Sequence, residues 1–260
     1  MAFREKIEEI AKNKQTNIVL ALDFPFEKPE NRQALLQRAE KVLDSAHPYI
    51  CAVKINYHLI LPIGIFNGLQ GILSKVHEKG LVAIADSKIN DIGETNRVIA
   101  EYLFEASFDA LIANPFVGWA EGLKPVFEAA KKTQRGVLLL AYMSHKGASE
   151  GYGQMVVDAE TGQNKPQYHL FALKALKWGA DGVIVGATYP DKIKEIKELL
   201  GGKIPIYSPG IGPQGGIIEA ALRAGTRFLI VGRAITLADN PAESAEKIRN
   251  LAWRCLTTRC

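Results

Sequence analysis

Residues 81–91, LVAIADSKIND, form an apolar run that changes abruptly into charged residues. The first five residues are aliphatic, and so short a bounded run is typical of a strand buried on both faces rather than of a helix. The charges begin at Asp86 and continue with Lys88 and Asp91. The segment therefore predicts a buried parallel strand whose carboxyl end carries ionisable groups.

Seven further runs of this kind alternate with amphipathic segments along the chain. The eight runs lie at 17–23, 50–56, 81–88, 110–115, 136–143, 182–187, 204–210 and 227–233. Several of the intervening segments end at a glycine, as helix C-caps commonly do. Eight strand–helix units in 260 residues fit a closed parallel (β/α)8 TIM barrel better than an open doubly wound sheet. We therefore predict an α/β protein with a single TIM-barrel catalytic domain over residues 1–260.

The connection after the fifth run, residues 144–166, is the only long polar one in the sequence. Loops of this length without secondary structure are usually lids over functional sites or disordered inserts. We therefore predict an irregular loop that moves over a site at the carboxyl end of the barrel.

Composition and charge argue against several classes of protein. Hydrophobic residues make up 47% and charged residues 23%, which excludes a disordered or collagen-like chain. The net charge of +4 comes without a run of like charges, so we expect a small anionic ligand and neither nucleic acid nor a membrane as partner.

Cysteine usage and the first residues predict the compartment. Cys51, Cys255 and Cys260 form no CxxC pair, and their odd number fits a reducing compartment. The charged stretch MAFREKIEEIAKNKQ differs from a signal peptide, and no apolar stretch reaches 18 residues. The expected location is the cytoplasm.

Charged residues end the first three strand runs, where TIM barrels build their active sites. They are Asp23 in the first run, Lys54 in the second, and Asp86 with Lys88 in the third, while Asp91 follows in the next turn. Strand alternation predicts that the third run directs both of its charges into the barrel mouth. Because buried charges must be paired, three carboxylates and two ammonium groups predict an alternating network. A structural ion-pair cluster without catalysis is the alternative.

Glycine-rich segments follow the last two runs. They are PGIGPQGG at 209–216 and the pair Gly232-Arg233. Exposed backbone N–H groups and a guanidinium fork bind phosphate, and TIM barrels commonly hold phosphate at these two loops. We predict a phosphate site that includes Gln214, Gly232 and Arg233, with ordinary turn glycines as the alternative. A dinucleotide fingerprint is rejected although the G-x-G-x-x-G spacing occurs, because only one strand follows and Arg233 stands where an acid is needed.

Together these motifs resemble the orotidine 5'-phosphate decarboxylase family. The string DSKIND at 86–91, followed by Thr95, is similar to the signature of that family. The other motifs fall in the family's order, namely Asp23 in ALDF, Lys54 in AVKIN, Ser144 in YMSHKGA, the SPGIGPQGG loop, and Arg233 in VGRAI. The resemblance covers nearly the whole chain and implies a TIM barrel.

The activity implied by the resemblance is the conversion of orotidine 5'-monophosphate to uridine 5'-monophosphate and CO2, the last step of de novo pyrimidine nucleotide synthesis, with no metal or organic cofactor. Loss of CO2 leaves a ring carbanion without an adjacent carbonyl to delocalise it, so the site must supply positive charge and a proton. Lys88 is expected to be the proton donor, kept as ammonium by Asp86 and Asp91. Lys54 is expected to balance the carboxylates.

The resemblance also assigns parts of the substrate to the remaining residues: the ribose to Asp23 and Lys54, the pyrimidine edge to Ser144, and the phosphate to Gln214, Gly232 and Arg233. It further implies a homodimer, in which Asp91 and Thr95 of one subunit complete the site of the other.

Two alternative functions follow from the same motifs. A Mg²⁺-dependent sugar-phosphate decarboxylase or aldolase of the same superfamily also carries DxKxxD, but places a metal-binding glutamate near the end of the second strand. Lys54 stands there and would repel the ion. A non-catalytic phosphometabolite-binding barrel should have lost at least one charged residue of the network, and none is missing.

Overall fold

The computed structural model describes residues 1–28, 31–212 and 216–258. Each of the eight predicted runs overlaps a strand of the barrel. The elements in chain order are α1 (Phe3–Asn13), β1 (Ile18–Ala21), α2 (Arg32–Ala46), β2 (Ala52–Ile55), α3 (Tyr57–Ile63), α4 (Gln70–Glu78), β3 (Val82–Ile89), α5 (Gly93–Glu105), β4 (Ala110–Ala113), α6 (Lys124–Lys132), β5 (Gly136–Tyr142), α7 (Ala148–Gly151), β6 (Met155–Val157), β7 (Asn164–Pro166), α8 (Gln167–Trp178), β8 (Gly182–Val185), α9 (Pro190–Leu200), β9 (Ile206–Pro209), α10 (Ile218–Ala224), β10 (Phe228–Val231), α11 (Arg233–Thr236) and α12 (Pro241–Thr258).

The strands form a closed parallel barrel, which confirms the predicted fold class. Their order is β1-β2-β3-β4-β5-β8-β9-β10, and β10 pairs again with β1. Alternate residues of β1 belong to different cores. Leu20 packs in the layer between strands and helices, while Val19 packs in the barrel interior. Burial on both faces explains why the strand sequences are almost continuously apolar.

Helix α1 closes the amino-terminal end of the barrel. Its residues Phe3, Ile7 and Ala11 are buried and pack with the interior side chains of the strands. Gly136 at the start of β5 has no room for a side chain, since an added Cβ would lie 2.4 Å from the Phe3 ring. Side chains therefore fill this end of the barrel, and the site must be sought at the carboxyl end.

The segment 144–166 is not the irregular loop that the sequence predicts. It contains the short helix α7 and an antiparallel hairpin of β6 and β7, in which Met155 pairs with Pro166. The carboxylate of Asp158 holds the hairpin turn, because it accepts hydrogen bonds from the Thr161 hydroxyl at 2.8 Å and from Lys165 Nζ at 2.7 Å. Strands of three residues are too short to show alternation in the sequence, so the prediction was wrong here.

No single helix in the described ranges is long and apolar enough to cross a membrane. Helix α3 and the helical stretch 65–78 pass that test of length and composition only as a pair, and they are bent by 95° at the break between them. The apolar residues Leu59, Ile60 and Ile63 of α3 are buried in the core outside the barrel strands.

Candidate active site

A cavity of about 180 Å³ opens at the carboxyl end of the barrel, where the sequence predicts the site. Ionisable groups from three successive strand ends line it together with a polar and apolar wall. The lining residues are Asp23, Lys54, Asn56, Asp86, Lys88, Ile112, Leu140, Met143, Ser144, Ile184, Pro209 and Ile230. The cavity thus brings together five of the residues predicted for the site.

A bulge in β3 carries the central charged residues. Ala85 pairs with Leu111 of β4, and the next paired residue, Ile89, lies opposite Ala113. Asp86, Ser87 and Lys88 therefore face a single residue of β4, and Lys88 has a left-handed φ of +46°. Asp86 and Lys88 both line the cavity, as predicted, but this bulge and not a regular alternation places them there. The bulge brings the two charged side chains together, as bulges near active sites often do.

Asp86 lies between two ammonium groups. Its Oδ1 accepts a hydrogen bond from Lys88 Nζ at 2.5 Å, and its Oδ2 accepts one from Lys54 Nζ. The side chains of Asp86 and Lys54 are 7% and 6% exposed, whereas that of Lys88 is 37% exposed on the cavity side of the pair. Both carboxylate oxygens are therefore occupied within the protein, and Lys88 is the cation that a ligand can reach most easily.

Mutual attraction keeps this network charged. Burial opposes ionisation of Asp86, but the charges of Lys54 and Lys88 outweigh it and lower the pKa of Asp86 to about 2. Burial likewise opposes the charge on Lys54, but the carboxylates of Asp86 and Asp23 raise the pKa of Lys54 above its usual value. Asp86 and Lys54 are therefore both ionised at neutral pH.

Asp23 presents an unused acceptor to the site. Its Oδ1 is buried without a hydrogen-bond partner in the described part of the chain. A buried carboxylate oxygen without a partner is costly, so a ligand that donates a hydrogen bond would be stabilised there. Gly232 leaves space beside this carboxylate, since an added Cβ would lie 3.3 Å from Asp23 Oδ2. The Thr236 hydroxyl fixes the main chain by donating to the Asp23 carbonyl at 3.0 Å.

A second cavity, of about 110 Å³, adjoins the first and is lined by the predicted phosphate residues Gly232 and Arg233. The two cavities share Asp23 and Lys54 in their walls. Arg233 is exposed at the start of α11. An anion held there would be next to the charged network. Gln214, also predicted for the phosphate, lies outside the described residues.

The loop that carries Ser144 is anchored by the turn after β8. Thr188 Oγ1 donates to the Ser144 carbonyl at 3.0 Å, and the Tyr189 hydroxyl donates to the His145 carbonyl at 2.9 Å. At Gly186 an added Cβ would lie only 2.6 Å from Ser144 Cα, so a side chain there would displace the loop. Neither Thr188 nor Tyr189 was predicted from the sequence, because their role depends on a contact between segments 44 residues apart.

Asn56 in the cavity wall was also missed. Its Oδ1 accepts the His58 N–H at 2.9 Å and so caps the start of α3. The sequence did contain a sign of its position, because Asn56 is the polar residue that ends the second strand run. Amides at strand ends, like charged residues there, therefore indicate the cavity wall.

Asp91 and Thr95 are not brought into the cavity of their own chain. Both are exposed, and the Asp91 carboxylate accepts the N–H of Ile92 at 2.7 Å. The buried amide of Asn96 holds the Asp91 main chain on both sides, since it accepts from the Asp91 N–H at 3.0 Å and donates to the Asp91 carbonyl at 2.5 Å. The predicted contact of Asp91 with Lys88 is therefore not made within one chain.

The arrangement can stabilise a developing anion and deliver a proton to it. The cavity that Lys88 lines also has apolar walls, which include Ile112, Leu140 and Ile184. Electrostatic interactions are stronger in such a poorly solvated site than in water. Within the described ranges, no group of three or more His, Cys, Asp or Glu side chains could hold a metal ion. The chemistry that these side chains offer is proton transfer beside a fixed charge.

The family model that matches residues 16–248 is described as "Orotidine 5'-phosphate decarboxylase / HUMPS family". Orotidine 5'-phosphate decarboxylase of Methanosarcina acetivorans is 36% identical over 90% of this chain and 94% of its own length, and that of Pyrococcus furiosus is 37% identical over 89% and 95%. Two solved structures of orotidine 5'-phosphate decarboxylases are also similar. The enzyme of Methanocaldococcus jannaschii with the inhibitor BMP has a TM-score of 0.76 at 30% identity, covering 91% of this chain and 98% of that one. The enzyme of Pyrococcus horikoshii has a TM-score of 0.72 at 35% identity, covering 90% and 98%. This chain belongs to the orotidine 5'-phosphate decarboxylase / HUMPS family.

Proposed function

We propose that this protein is a carbon–carbon lyase that decarboxylates orotidine 5'-monophosphate to uridine 5'-monophosphate and CO2. The observation that carries the proposal is the Asp86 carboxylate between two ammonium groups, with Lys88 facing a cavity next to Gly232 and Arg233. The names of its relatives support the same activity. We infer that residues 1–260 act as one barrel domain. The odd number of cysteines, three, supports the cytoplasm as its compartment.

Lys88 is the proton donor in this mechanism. When the bond to the substrate carboxylate breaks, its electron pair remains on the pyrimidine ring carbon and CO2 leaves. The ring carbon then takes a proton from the Lys88 ammonium, and the resulting amine recovers a proton from water. A cation already fixed 2.5 Å from Asp86 needs little reorganisation as the negative charge develops.

Asp86 and Lys54 hold the proton donor in place. The Asp86 carboxylate orients Lys88 through a direct hydrogen bond. A substrate carboxylate bound beside Asp86 would be repelled before CO2 is lost. Lys54 compensates the charge of Asp86 from the buried side. Asp86 and Lys54 therefore keep the proton donor correctly directed while the substrate binds.

The remaining predicted residues bind the parts of the substrate that do not react. Asp23 Oδ1, a buried acceptor without a partner in the described residues, suits a ribose hydroxyl. Ser144 lies in the wall of the same cavity and is assigned the pyrimidine edge. Arg233 and Gly232, with Gln214, bind the phosphate. Binding energy from a distant phosphate can be used in the transition state if it is coupled to closure of the site.

We further propose a homodimer in which Asp91 and Thr95 of each subunit complete the site of the other. Two observations support it. Asn96 fixes the Asp91 main chain at the surface, away from its own cavity. Large apolar side chains are also exposed in segments that follow the strands at this end of the barrel, namely Phe26, Leu61, Ile92 and Phe116. Exposed apolar groups of this size commonly mark interfaces.

An ultraviolet assay of orotidine 5'-monophosphate tests the proposed activity. The purified protein should consume the substrate and form uridine 5'-monophosphate and CO2 in equal amounts, and the Lys88→Ala variant serves as the control. A folded wild-type protein that leaves orotidine 5'-monophosphate unchanged would refute the proposal. Activity on a sugar phosphate that requires Mg²⁺ would instead favour the other branch of the superfamily.

A further inference from the structure

Tyr57, the first residue of α3, contacts the bulge that carries Lys88. Its hydroxyl donates a hydrogen bond of 2.9 Å to the carbonyl of Ser87. That carbonyl belongs to the peptide unit that joins Ser87 to Lys88. The hydrogen bond therefore fixes the orientation of the peptide plane that precedes the Lys88 Cα.

The bulge needs such support because its geometry is unfavourable for lysine. A residue with a side chain is disfavoured at the φ of +46° that Lys88 adopts, since its Cβ crowds the backbone. The parallel ladder holds Ala85 on one side of the bulge and Ile89 on the other, but not the peptide between Ser87 and Lys88. Within the bulge, the Ser87 hydroxyl reaches the Ile112 carbonyl at 3.3 Å. The shorter bond from Tyr57 acts on the peptide unit itself.

Tyr57 is itself held firmly. Asn56 caps the helix that begins at Tyr57 by accepting the His58 N–H. His58 Nδ1 is 2.7 Å from the Phe24 carbonyl, which ties the same turn to the segment after β1. Burial and the negative charge of Asp86 raise the pKa of Tyr57, so the phenol keeps the proton that it donates. A rigid donor can impose a backbone conformation that a mobile one could not.

We propose that Tyr57 is a positioning residue for the reaction, which holds the Ser87–Lys88 peptide so that the Lys88 ammonium lies against Asp86. Tyr57 does not contact the reacting atoms. Its effect on turnover rests on the proposed decarboxylase function, whereas its effect on the conformation of Lys88 does not. The two effects can therefore be measured separately.

The Tyr57→Phe variant removes the hydroxyl and keeps the ring. Because Tyr57 is 47% exposed, the change leaves the core packing intact. We expect kcat to fall roughly tenfold, which corresponds to about 1.4 kcal/mol in the barrier. KM and the inhibition constant of uridine 5'-monophosphate should stay within about twofold, because the ribose and phosphate contacts lie elsewhere. Tyr49→Phe is the matched control, since Tyr49 lies before β2, at the end of the strand away from the cavity, and should behave as wild type.

A crystal structure of unliganded Tyr57→Phe gives the readout that does not depend on activity. We expect the Lys88 ammonium to leave Asp86 and the Lys88 φ to become negative. Retention of both features would overturn the proposal even if the wild type does not decarboxylate orotidine 5'-monophosphate. With an active wild type, a kcat within about twofold of normal, or equal changes in kcat and in KM, would also overturn it. An inactive wild type would refute the proposed function alone.

Discussion

Asp86→Asn should destabilise the protein as well as inactivate it. The pKa of Asp86 is about 2 in the folded protein against a usual 3.8, because Lys54 and Lys88 outweigh the effect of burial. A shift of this size corresponds to roughly 2 kcal/mol of stabilisation at neutral pH. The variant also leaves the buried Lys54 with Asp23 as its remaining acidic neighbour, and breaking a buried ion pair typically costs about 3–5 kcal/mol. We therefore expect the free energy of unfolding at pH 7 to fall by about 2–5 kcal/mol.

The loss of unfolding free energy in Asp86→Asn should become smaller as the pH falls. Because the folded pKa of Asp86 is lowered, its stabilisation is complete above the unfolded value and is lost as the pH falls towards about 2. The difference between wild type and variant should therefore be constant from about pH 7 to pH 5 and should narrow below about pH 4. Urea unfolding followed by tryptophan fluorescence measures this difference in unfolding free energy. The ring centroids of Trp119 and Trp178 lie 5.2 Å apart, so the fluorescence reports the packing between α8 and the segment before α6.

Glu101→Gln is the control for this experiment. Glu101 is an exposed carboxylate that pairs with Arg97 at 2.7 Å on α5, and exposed pairs contribute little. Its stability should stay close to that of wild type at every pH. The reasoning would be refuted if Asp86→Asn were as stable as Glu101→Gln at pH 7, or if the difference did not narrow on acidification.

Four further predictions concern activity. Lys88→Ala should lose nearly all turnover while it keeps its fold, because the Lys88 side chain is 37% exposed at the cavity whereas that of Lys54 is 6% exposed; turnover within about tenfold of wild type would contradict this role. Arg233→Ala should lower kcat/KM for orotidine 5'-monophosphate by roughly 30-fold or more, and should matter far less for orotidine, which lacks the phosphate. Activity should survive exhaustive EDTA treatment, because Lys54 stands where a metal-binding acid would be needed. Lys88→Ala and Asp91→Ala proteins, each nearly inactive, should regain roughly a quarter of wild-type activity when mixed, because half of the randomly exchanged dimers contain one complete site.

For each of the last three predictions, a specific outcome would contradict the proposed role. Equal impairment of Arg233→Ala on orotidine and on its 5'-phosphate would show that Arg233 does not bind the phosphate. Activity that EDTA abolishes and Mg²⁺ restores would favour the sugar-phosphate branch. Mixed subunits that exchange, as mass spectrometry can verify, but recover no activity would rule out a site shared through Asp91.

The strands and the general position of the site could be predicted because both leave local traces in the sequence. A barrel strand is buried on both faces, so each one appears as a short apolar run. A charge at the end of such a run, as at Asp23 or Lys54, cannot be accommodated unless it is paired or solvated, which marks the carboxyl end of the barrel. The hairpin at 155–166 left no such trace, because its strands are three residues long and their residues are exposed or half-buried.

Local sequence patterns were therefore enough to predict the eight-stranded barrel and the set of charged residues at its carboxyl end. How these residues contact one another depends on the folded chain. The bulge at Asp86–Lys88 exists only relative to the register of β4, and the support from Tyr57 crosses from the end of β2 to the end of β3. Likewise, Thr188 anchors the Ser144 loop and Asn96 anchors Asp91 through hydrogen bonds to particular backbone groups. Apolar burial depends on residue type and can therefore be seen in the local sequence. Register and hydrogen-bond geometry depend instead on which distant segment lies alongside a strand, and the neighbouring segments are in place only when the barrel closes.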